Sequence, residues 1–580
     1  MWPSDYGEIA MRRGFGEYDF IVVGAGSAGS VVANRLSENP NTKVLVLEAG
    51  GDPPIESAIP ALLATLANTK YDWQFNIEPS AKSGIYTNRW VRGKMLGGCS
   101  SINAMAYVRG SEEDYNNWEA LGNPTWGWEN VLDYFKKSES NQDPEIADAF
   151  GGYYHSKNGL LSVELYKDNL SISHDIIRAA KEMNFSFVKD INADKKVAFT
   201  LVQGTLRSGL RDSTATAFLI PAMNRPNLHI VKHAHVLDLD ISESGVVSGV
   251  RLILRGEKEF KVSARKEVIL SAGTINSPQI LMLSGIGPQA HLQQMEIPII
   301  QNLQVGKNLH DHPSIPLFIK LDPTTSISPS TGDLLQSFFV YLVQHTGTLA
   351  TIGSADTFGF VNVQDPLAQI PDFIFFHVAF LKGQTDNFYG FLQIFGYVDE
   401  FNSLITPAIL ESNILLVPVG LLTEKSRGEI LLRSREPTEK PKIFPNYLAE
   451  SSDIVAFIKA IRLYQKFLQT EAFRSHEASL LVIPIHACDF LEYDSDEYWE
   501  CYCRYTTATL FHPVGTNKMG PDSDPDAVVD YQLRVKGTTG LRVIDASIMP
   551  VVPRANTNAP TIMVGEKGTD FIKEDWGLSL

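Results

Sequence analysis

Residues 18–50 read YDFIVVGAGSAGSVVANRLSENPNTKVLVLEAG and contain the strongest local signal in the chain. Residues 20–23 are a short β-branched run, which is typical of a strand buried in a parallel sheet. Residues 27–36 predict a helix with small side chains on one side, and residues 43–47 predict a second strand. The order of strand, glycine-rich turn, helix and strand predicts a βαβ unit that opens an α/β domain.

The glycines of this stretch have the spacing G-x-G-x-x-G. Gly24 permits the tight turn, Gly26 lets the backbone approach a pyrophosphate, and Gly29 allows the helix to pack closely on the strand. Ser27 and Ala28 begin the helix, whose unpaired N–H groups would face the phosphates. The motif therefore predicts a dinucleotide site, although glycine turns at strand–helix junctions are also found for structural reasons alone.

Glu48 ends the second predicted strand, 24 residues after Gly24. A carboxylate at this position can accept hydrogen bonds from both ribose hydroxyls of a dinucleotide. The same charge would repel a 2′-phosphate, which disfavours NADP. The motif alone leaves NAD and FAD as alternatives.

Composition excludes several other classes of protein. The chain has 580 residues, of which 44% are hydrophobic and 20% are charged, so it is neither disordered nor fibrous. Its net charge of −17 argues against a nucleic-acid partner, which would require clustered Lys and Arg. We also expect no membrane span, because no run of about 18 consecutive apolar residues occurs.

Further segments narrow the choice of cofactor. A glycine-rich segment, GKMLGGCSSIN at residues 93–103, lacks the lysine spacing of a P-loop. A second segment, GTINSPQILMLSGIG at residues 273–287, follows the strand predicted at residues 268–272. Near the C-terminus stand FHPVGT from residue 511, LRVIDAS from residue 541 and NTNAPT from residue 556.

Taken in this order, the segments resemble the glucose–methanol–choline (GMC) family of FAD-dependent oxidoreductases. The resemblance extends from about residue 18 to about residue 570, and residues 70–73 and 496–500 look most like the insect branch. Cys99 departs from the Gly, Ser or Thr usual at its position. The resemblance implies a Rossmann-like FAD-binding domain combined with a discontinuous substrate domain that contains an antiparallel sheet.

The implied domains are interleaved along the chain. The FAD-binding domain would comprise residues 17–115, 200–317 and 511–580, and the substrate domain mainly residues 116–199 and 318–510. Within the substrate domain, residues 337–343 fit either a strand or a helix, and residues 392–398 predict a strand. Residues 454–468 have helical periodicity.

The resemblance also implies the reaction. Members of the family oxidise an alcohol by removing its hydroxyl proton and passing the carbon-bound hydrogen to flavin N5 as hydride. His512 matches the catalytic histidine, and a neutral imidazole suits a general base near pH 7. We expect Asn558 to hold the substrate oxygen, although it also fits a helix cap. Oxygen or a quinone would be the electron acceptor, and the substrate alcohol stays open.

Other residues match positions that contact FAD in the family. The implied contacts are Met95, Leu96, Gly98, Asn103, Val236, Asp545, Ala546 and Thr557. Some relatives attach FAD covalently through a histidine where this chain has Ile102, so we expect FAD to be bound non-covalently. The alternatives are a catalytically silent paralogue that only binds a ligand and a pyridine-nucleotide enzyme.

The chain has four cysteines, three of which belong to two pairs of possible metal ligands spaced two residues apart. His486-Ala-Cys488 and Cys501-Tyr-Cys503 could be interpreted as a zinc site, but structural zinc pairs more often use C-x-x-C. We therefore expect no metal, and a disulfide between Cys488 and Cys501 if the protein is secreted. The compartment itself is left open by the sequence.

Two other polar positions are harder to interpret. His310-Asp-His312 looks like a metal or acid–base cluster, but it resembles a structural turn of the family and we expect a structural role. Asn517 lies five residues after His512, where many insect-branch relatives have cysteine. The sequence gives no physical basis for assigning Asn517 to the site or to the scaffold.

Overall fold

The computed structural model describes residues 1–80, 83–166, 171–327, 334–352 and 356–578. The strand Tyr18–Val23 lies inside a mixed sheet and pairs in parallel with Val44–Leu47 on one side and Lys258–Leu270 on the other. All six of its residues are buried. A strand covered on both faces has no need of polar alternation, which is why this segment is an unbroken apolar run.

This first sheet combines a parallel and an antiparallel part. The C-terminal half of Lys258–Leu270 pairs in parallel, whereas its N-terminal half pairs with an antiparallel neighbour. In spatial order, its strands are Leu228–Val231, Val44–Leu47, Tyr18–Val23, Lys258–Leu270, Val247–Leu254 and Ala234–Ile241, and Leu541–Val543 also pairs with Lys258–Leu270. The predicted βαβ unit is present at the centre of this sheet.

The C-terminal helix Asn558–Asp575 packs on Ser27–Leu36, the helix that follows the glycine turn. A Cβ at Gly565 would lie 3.1 Å from the backbone of Ala28, which is tighter than an ordinary contact, so glycine favours this close approach. Arg35 and Glu566 make two hydrogen bonds of 2.9 and 2.8 Å across the same contact. The end of the chain therefore completes the domain that its beginning opens.

A second sheet is antiparallel except at one edge, where Phe187–Val188 pairs in parallel with Ala198–Leu201. Its longest pair is Pro313–Leu321 with Asn413–Leu421. In spatial order, its strands are Ser479–Leu480, Pro313–Leu321, Asn413–Leu421, Phe373–Phe376, Thr357–Val361, Ala198–Leu201 and Phe187–Val188, with Val378–Phe380 and Ala508–Thr509 paired at its sides. The predicted antiparallel sheet is confirmed.

The remaining elements are short strands and helices. The small sheets use Phe75–Asn76, Arg89–Trp90, Glu139–Asn141, Leu161–Leu165, Gln203–Gly204, Leu206–Arg207, Leu210–Arg211, Ile286–Gly287, Gln301–Asn302, Glu429–Leu431 and Lys442–Phe444. The other α-helices are Gly7–Arg13, Ile55–Ala58, Glu112–Ala120, Trp128–Ser138, Pro144–Ala147, Ser171–Glu182, Ile220–Ala222, Gly273–Leu283, Gln289–Gln294, Leu334–Gln344, Thr385–Ile394, Asp399–Glu411, Ser451–Phe467, Glu471–Arg474 and Asp496–Thr506.

Two of the local expectations agree with these elements and one is wrong. Residues 454–468 fall in the helix Ser451–Phe467, and residues 337–343 adopt the helical alternative in Leu334–Gln344. Residues 392–398, predicted as a strand, instead form the end of the helix Thr385–Ile394 and a turn. Phe388 and Leu392 are buried four residues apart, so packing of a helix face decided this segment.

The domain division stays a prediction. The predicted boundaries at 199/200 and 317/318 each fall inside a strand of the second sheet, namely Ala198–Leu201 and Pro313–Leu321. In the described ranges no helix has the length and hydropathy to cross a bilayer.

Cys488 and Cys501 form a disulfide, whereas Cys99 and Cys503 are free. Because their sulfur atoms are bonded to each other, Cys488 and Cys501 are not available as zinc ligands. Throughout the described part of the chain, no group of three or more His, Cys, Asp and Glu side chains could hold a metal ion.

Candidate active site

One continuous cavity is lined by residues of both sheets. At one end stand Val23, the glycine turn and Glu48, where the strands Tyr18–Val23 and Val44–Leu47 end. His512 lines the same cavity. Ligands of open α/β sheets bind outside the carboxyl ends of the strands, and this cavity has that position.

The glycine turn is built for close backbone contact. Gly24 has φ +96°, and a Cβ there would lie 2.5 Å from the carbonyl oxygen of Ser271. A Cβ on Gly29 would lie 2.0 Å from the carbonyl oxygen of Gly24, so the helix can pack on the strand only through glycine. A Cβ on Gly26 would meet only Gly98, at 3.9 Å. The turn therefore leaves open space in front of the first turn of Ser27–Leu36, where a phosphate would bind.

Glu48 is held by the backbone at the cavity wall. Its Oε2 accepts a hydrogen bond of 2.9 Å from the N–H of Ala25, and its Oε1 accepts one of 2.8 Å from the N–H of Gly50. Burial raises the pKa of this carboxyl group, and these two N–H groups oppose the rise. Each oxygen keeps a lone pair for a further donor, so the residues present fit the ribose of a dinucleotide.

Most of the predicted cofactor contacts lie on this cavity. The lining residues among them are Gly24, Gly26, Ser27, Ala28, Glu48, Gly98, Asn103, Val236, Asp545, Ala546 and Thr557. Gly29, Met95 and Leu96 are not among the residues that line it. Met95 packs with Leu66, Val91 and Ile102, so its position in the motif serves the core.

Asp545 fixes one wall of the cavity. Its Oδ2 accepts hydrogen bonds from the N–H of Gly273 at 2.8 Å and from the hydroxyl of Ser277 at 2.6 Å. Its Oδ1 accepts hydrogen bonds from the backbone N–H and the hydroxyl of Ser547. The carboxylate thus holds the start of the helix Gly273–Leu283 beside the strand Leu541–Val543.

His512 is buried and held on three sides. Its Nε2 lies 3.2 Å from the Nδ2 of Asn556, and its Nδ1 lies 3.0 Å from the Nδ1 of His312. Its backbone N–H donates a hydrogen bond of 2.8 Å to Asp311. Burial, followed by the neighbouring His312 and Arg92, holds the pKa of His512 well below its ordinary value. The imidazole is therefore neutral and available as a base near pH 7.

Asn558 is not the asparagine that meets His512. Its Oδ1 accepts a hydrogen bond of 2.7 Å from the hydroxyl of Ser27, and it is the first residue of the helix Asn558–Asp575. Asn556, two residues earlier, faces the imidazole instead, and its Oδ1 is buried without a partner among the described residues. Both asparagines flank Thr557 and line the cavity, so the sequence offered no signal that separated them.

The segment 310–312 was expected to be structural, and this holds for two of its residues. His310 donates from Nδ1 to the carbonyl oxygen of Asn308 and accepts at Nε2 from the N–H of Val552. Asp311 accepts hydrogen bonds of 2.5 Å from the hydroxyls of Tyr447 and Thr509.

His312 differs from its two neighbours because it contacts His512 directly. A purely structural interpretation of the segment therefore does not cover His312. Local patterns could not predict this contact, since 200 residues separate the two histidines.

Arg92 is a lining residue that the sequence analysis did not identify, although it directly precedes the glycine-rich segment at residues 93–103. Its Nη1 lies 3.7 Å from the Sγ of Cys99. Its Nε and Nη2 are buried and have no hydrogen-bond partner within the described ranges. Its charge acts on His512, whose pKa it helps to lower.

Asn517 belongs to the wall behind the site. Its side-chain amide donates a hydrogen bond of 2.9 Å to the hydroxyl of Ser547, and its backbone N–H donates one of 2.8 Å to the carbonyl oxygen of the same residue. It is fully buried and does not line the cavity. Its contacts make it a support for Ser547, which in turn bonds Asp545.

A glycine turn that fits a dinucleotide and a buried, neutral imidazole line the same cavity. This combination is typical of one class of protein, the nucleotide-dependent oxidoreductases. Comparison with known proteins gives the family. The N- and C-terminal models of the GMC oxidoreductases match residues 18–314 and 424–565. The chain belongs to the GMC oxidoreductase family, and it is a FAD-dependent oxidoreductase that acts on CH–OH groups.

Similar proteins extend over nearly the whole chain. A glucose dehydrogenase [FAD, quinone] of Drosophila pseudoobscura pseudoobscura is 38% identical over 97% of this chain and 87% of that relative. An ecdysone oxidase of Bombyx mori is 36% identical over 100% of this chain and 84% of its own length. Among solved structures, a formate oxidase of Aspergillus oryzae RIB40 has 28% identity and a TM-score of 0.82, covering 96% of this chain and 98% of that one.

Proposed function

We propose that the protein oxidises an alcohol to a carbonyl compound with His512 as the general base and Asn556 as its partner. The observation that carries this proposal is the 3.2 Å contact between Nε2 of His512 and Nδ2 of Asn556. Both residues are on the cavity that also contains the glycine turn. In this proposal Asn556 takes the role that the sequence suggested for Asn558.

The hydrogen bonds around His512 select its tautomer. The amide nitrogen of Asn556 is a donor, so the Nε2 that it faces carries a lone pair. The proton of the neutral ring is then on Nδ1, which donates to Nδ1 of His312. Nε2 has a single lone pair, so the hydroxyl of a bound alcohol would take the place of the Asn556 amide there, and Nε2 could then accept the hydroxyl proton as a general base must.

Asn556 also supports the developing charge on the substrate. Its amide nitrogen has two hydrogens, and only one of them is directed to His512. Once the alcohol hydroxyl has replaced this amide hydrogen at Nε2, the amide can donate to the alcohol oxygen, where negative charge grows as the proton moves to Nε2. Fixed donors aimed at such a charge typically contribute about 10²–10³ in rate.

The residues that would hold FAD are those of the glycine turn, Glu48, Asn103 and Asp545. The bound flavin would supply the acceptor for the hydrogen and the electron pair that leave the carbinol carbon. We infer that FAD is held non-covalently, because Ile102 lines the cavity where some relatives carry a histidine. Oxygen or a quinone would reoxidise the cofactor, and a quinone is named for the Drosophila relative.

The test is anaerobic mixing of the purified holoenzyme with alcohols while the flavin absorption band is followed. We expect bleaching by at least one alcohol, and His512→Ala should slow it by at least about 10²-fold while flavin content is kept. Near-normal reduction of that variant would remove His512 from the base role. Reduction by dithionite but by no alcohol would favour a silent, ligand-binding paralogue.

A further inference from the structure

The lining residues that come from the range 352–511 differ in character from those at the glycine turn and Glu48. Between residues 352 and 511, every described residue that lines the cavity has an apolar side chain. From the N-terminal part, Leu63 and Val91 are apolar lining residues as well. The charged and polar lining side chains come from other parts of the chain, and they are those of Ser27, Glu48, Arg92, Asn103, His235, Ser271, Thr274, Asn276, Gln279, His512, Asp545, Asn556, Thr557, Asn558 and Thr561.

Aromatic rings form one wall of this apolar part. Phe391 and Phe395 are four residues apart, and their ring centroids lie 5.4 Å from each other. Phe395 lies 5.2 Å from Phe511, which directly precedes His512. The row of rings therefore ends at the residue that directly precedes the proposed base.

A second wall of the cavity is formed by strands of the second sheet. Phe358 and Phe376 are register partners on the antiparallel strands Thr357–Val361 and Phe373–Phe376, and their ring centroids are 4.4 Å apart. Both line the cavity. Rings that are fixed by a sheet on one side and packed against each other on the other present a rigid apolar surface to whatever enters.

We propose that the substrate is an alcohol with an apolar, ring-bearing body, and not a sugar or another polyol. This proposal rests on the alcohol oxidation proposed above. His512 and Asn556 can serve the single reacting hydroxyl. The other hydroxyls of a sugar would lose their bonds to water against the aromatic walls and gain none in return.

The expected preference for an apolar alcohol over a sugar can be given a size. A hydrophobic pocket discriminates by about 10²-fold against a ligand with one added hydroxyl, and a sugar adds several. An apolar ring gains instead from contact with the walls of Phe391, Phe395 and Phe511. The name of the Drosophila relative, a glucose dehydrogenase, therefore does not describe this pocket.

The first test compares anaerobic flavin reduction of the holoenzyme by benzyl alcohol and by D-glucose. We expect the second-order rate constant of reduction to be at least about 10²-fold higher for benzyl alcohol. A smaller ratio, or a preference for glucose, would overturn the substrate class and leave the oxidation itself standing. Cyclohexylmethanol, equally apolar but not aromatic, should also exceed glucose.

The second test measures binding without turnover. The tertiary alcohol 2-phenyl-2-propanol has no hydrogen on its carbinol carbon, so its dissociation constant can be measured by calorimetry on the oxidised holoenzyme. Phe391→Asn should weaken it roughly ten-fold, and the matched control Phe391→Leu, which keeps an apolar wall, should stay within about three-fold. Equal affinity in all three proteins would overturn the proposal.

The two tests separate this inference from the proposed function. Tight binding of the tertiary alcohol together with no reduction by any alcohol would refute the oxidation while supporting the apolar site. Fast reduction by glucose would support the oxidation while refuting the apolar site.

Discussion

The Nδ1 atoms of His312 and His512 lie 3.0 Å apart, with the two buried rings nearly perpendicular at 86°. Only one proton can occupy this contact, so one ring must donate and the other must accept. Burial and the nearby Arg554 lower the pKa of His312 to about 3, so it stays neutral. His312 can therefore accept a hydrogen bond from the Nδ1–H of His512, which places the lone pair of His512 on Nε2, the nitrogen that faces Asn556 and the cavity.

We predict that His312→Leu lowers the rate of flavin reduction by roughly 10- to 100-fold, because it leaves the Nδ1–H of His512 without an acceptor in a buried site. His312→Asn should restore much of the loss, since its amide oxygen can occupy a position near that of Nδ1. Stopped-flow reduction of both variants, at equal flavin content, makes the comparison. Equal rates for the Leu and Asn variants would show that the hydrogen bond has no role.

The two asparagines that flank Thr557 should have separable effects. Asn556→Ala removes the donor that faces His512, and we expect reduction to slow by about 10²-fold with flavin retained. Asn558→Ala removes the acceptor for the Ser27 hydroxyl, and we expect weaker flavin retention of about five-fold with a nearly normal reduction rate. Flavin content after dialysis and single-turnover rates measure the two effects. The opposite pattern would return the substrate role to Asn558.

Arg92 should influence the pH below which activity falls. Its positive charge lowers the pKa of His512, so replacing it with Met should raise that pKa. Because only the unprotonated imidazole can accept a proton, the fall in kcat/KM at low pH should then begin at a higher pH. Arg92→Lys keeps the charge and serves as the control. A low-pH limb at the same position in wild type and Arg92→Met would contradict this electrostatic effect.

The sequence was sufficient for the features that depend on neighbouring residues. The turn at Gly24, the helix Ser27–Leu36 and the terminal carboxylate Glu48 follow from the spacing of the motif, because Gly24 and Gly29 each stand where a Cβ would collide with the backbone. The cavity then joins them to His512, as the family resemblance implied.

What the sequence did not reveal depends on contacts between distant segments. The partner of His512 at Nδ1 comes from a segment 200 residues away, and the choice of Asn556 over Asn558 depends on where the last helix begins. Met95 fits the same motif as Gly98, but its side chain turns into the core and not into the cavity. Motif spacing does not encode such orientations.

The disulfide between Cys488 and Cys501 should stabilise the region around the helix Asp496–Thr506. The two cysteines are 13 positions apart, and closing a loop of this size stabilises a protein by about 3 kcal/mol in the chain-entropy model. We therefore expect Cys501→Ala to lower the free energy of unfolding in urea by about that amount.

The matched control is the double variant Cys488→Ala/Cys501→Ala, which removes the same bond without leaving a free thiol. Its loss in the free energy of unfolding should not exceed that of Cys501→Ala by more than roughly 0.5 kcal/mol. A thiol titration of the denatured, unreduced wild type should find two thiols, those of Cys99 and Cys503. Four thiols would mean that the bond is absent in solution, and the predicted stability difference between wild type and Cys501→Ala would then have no basis.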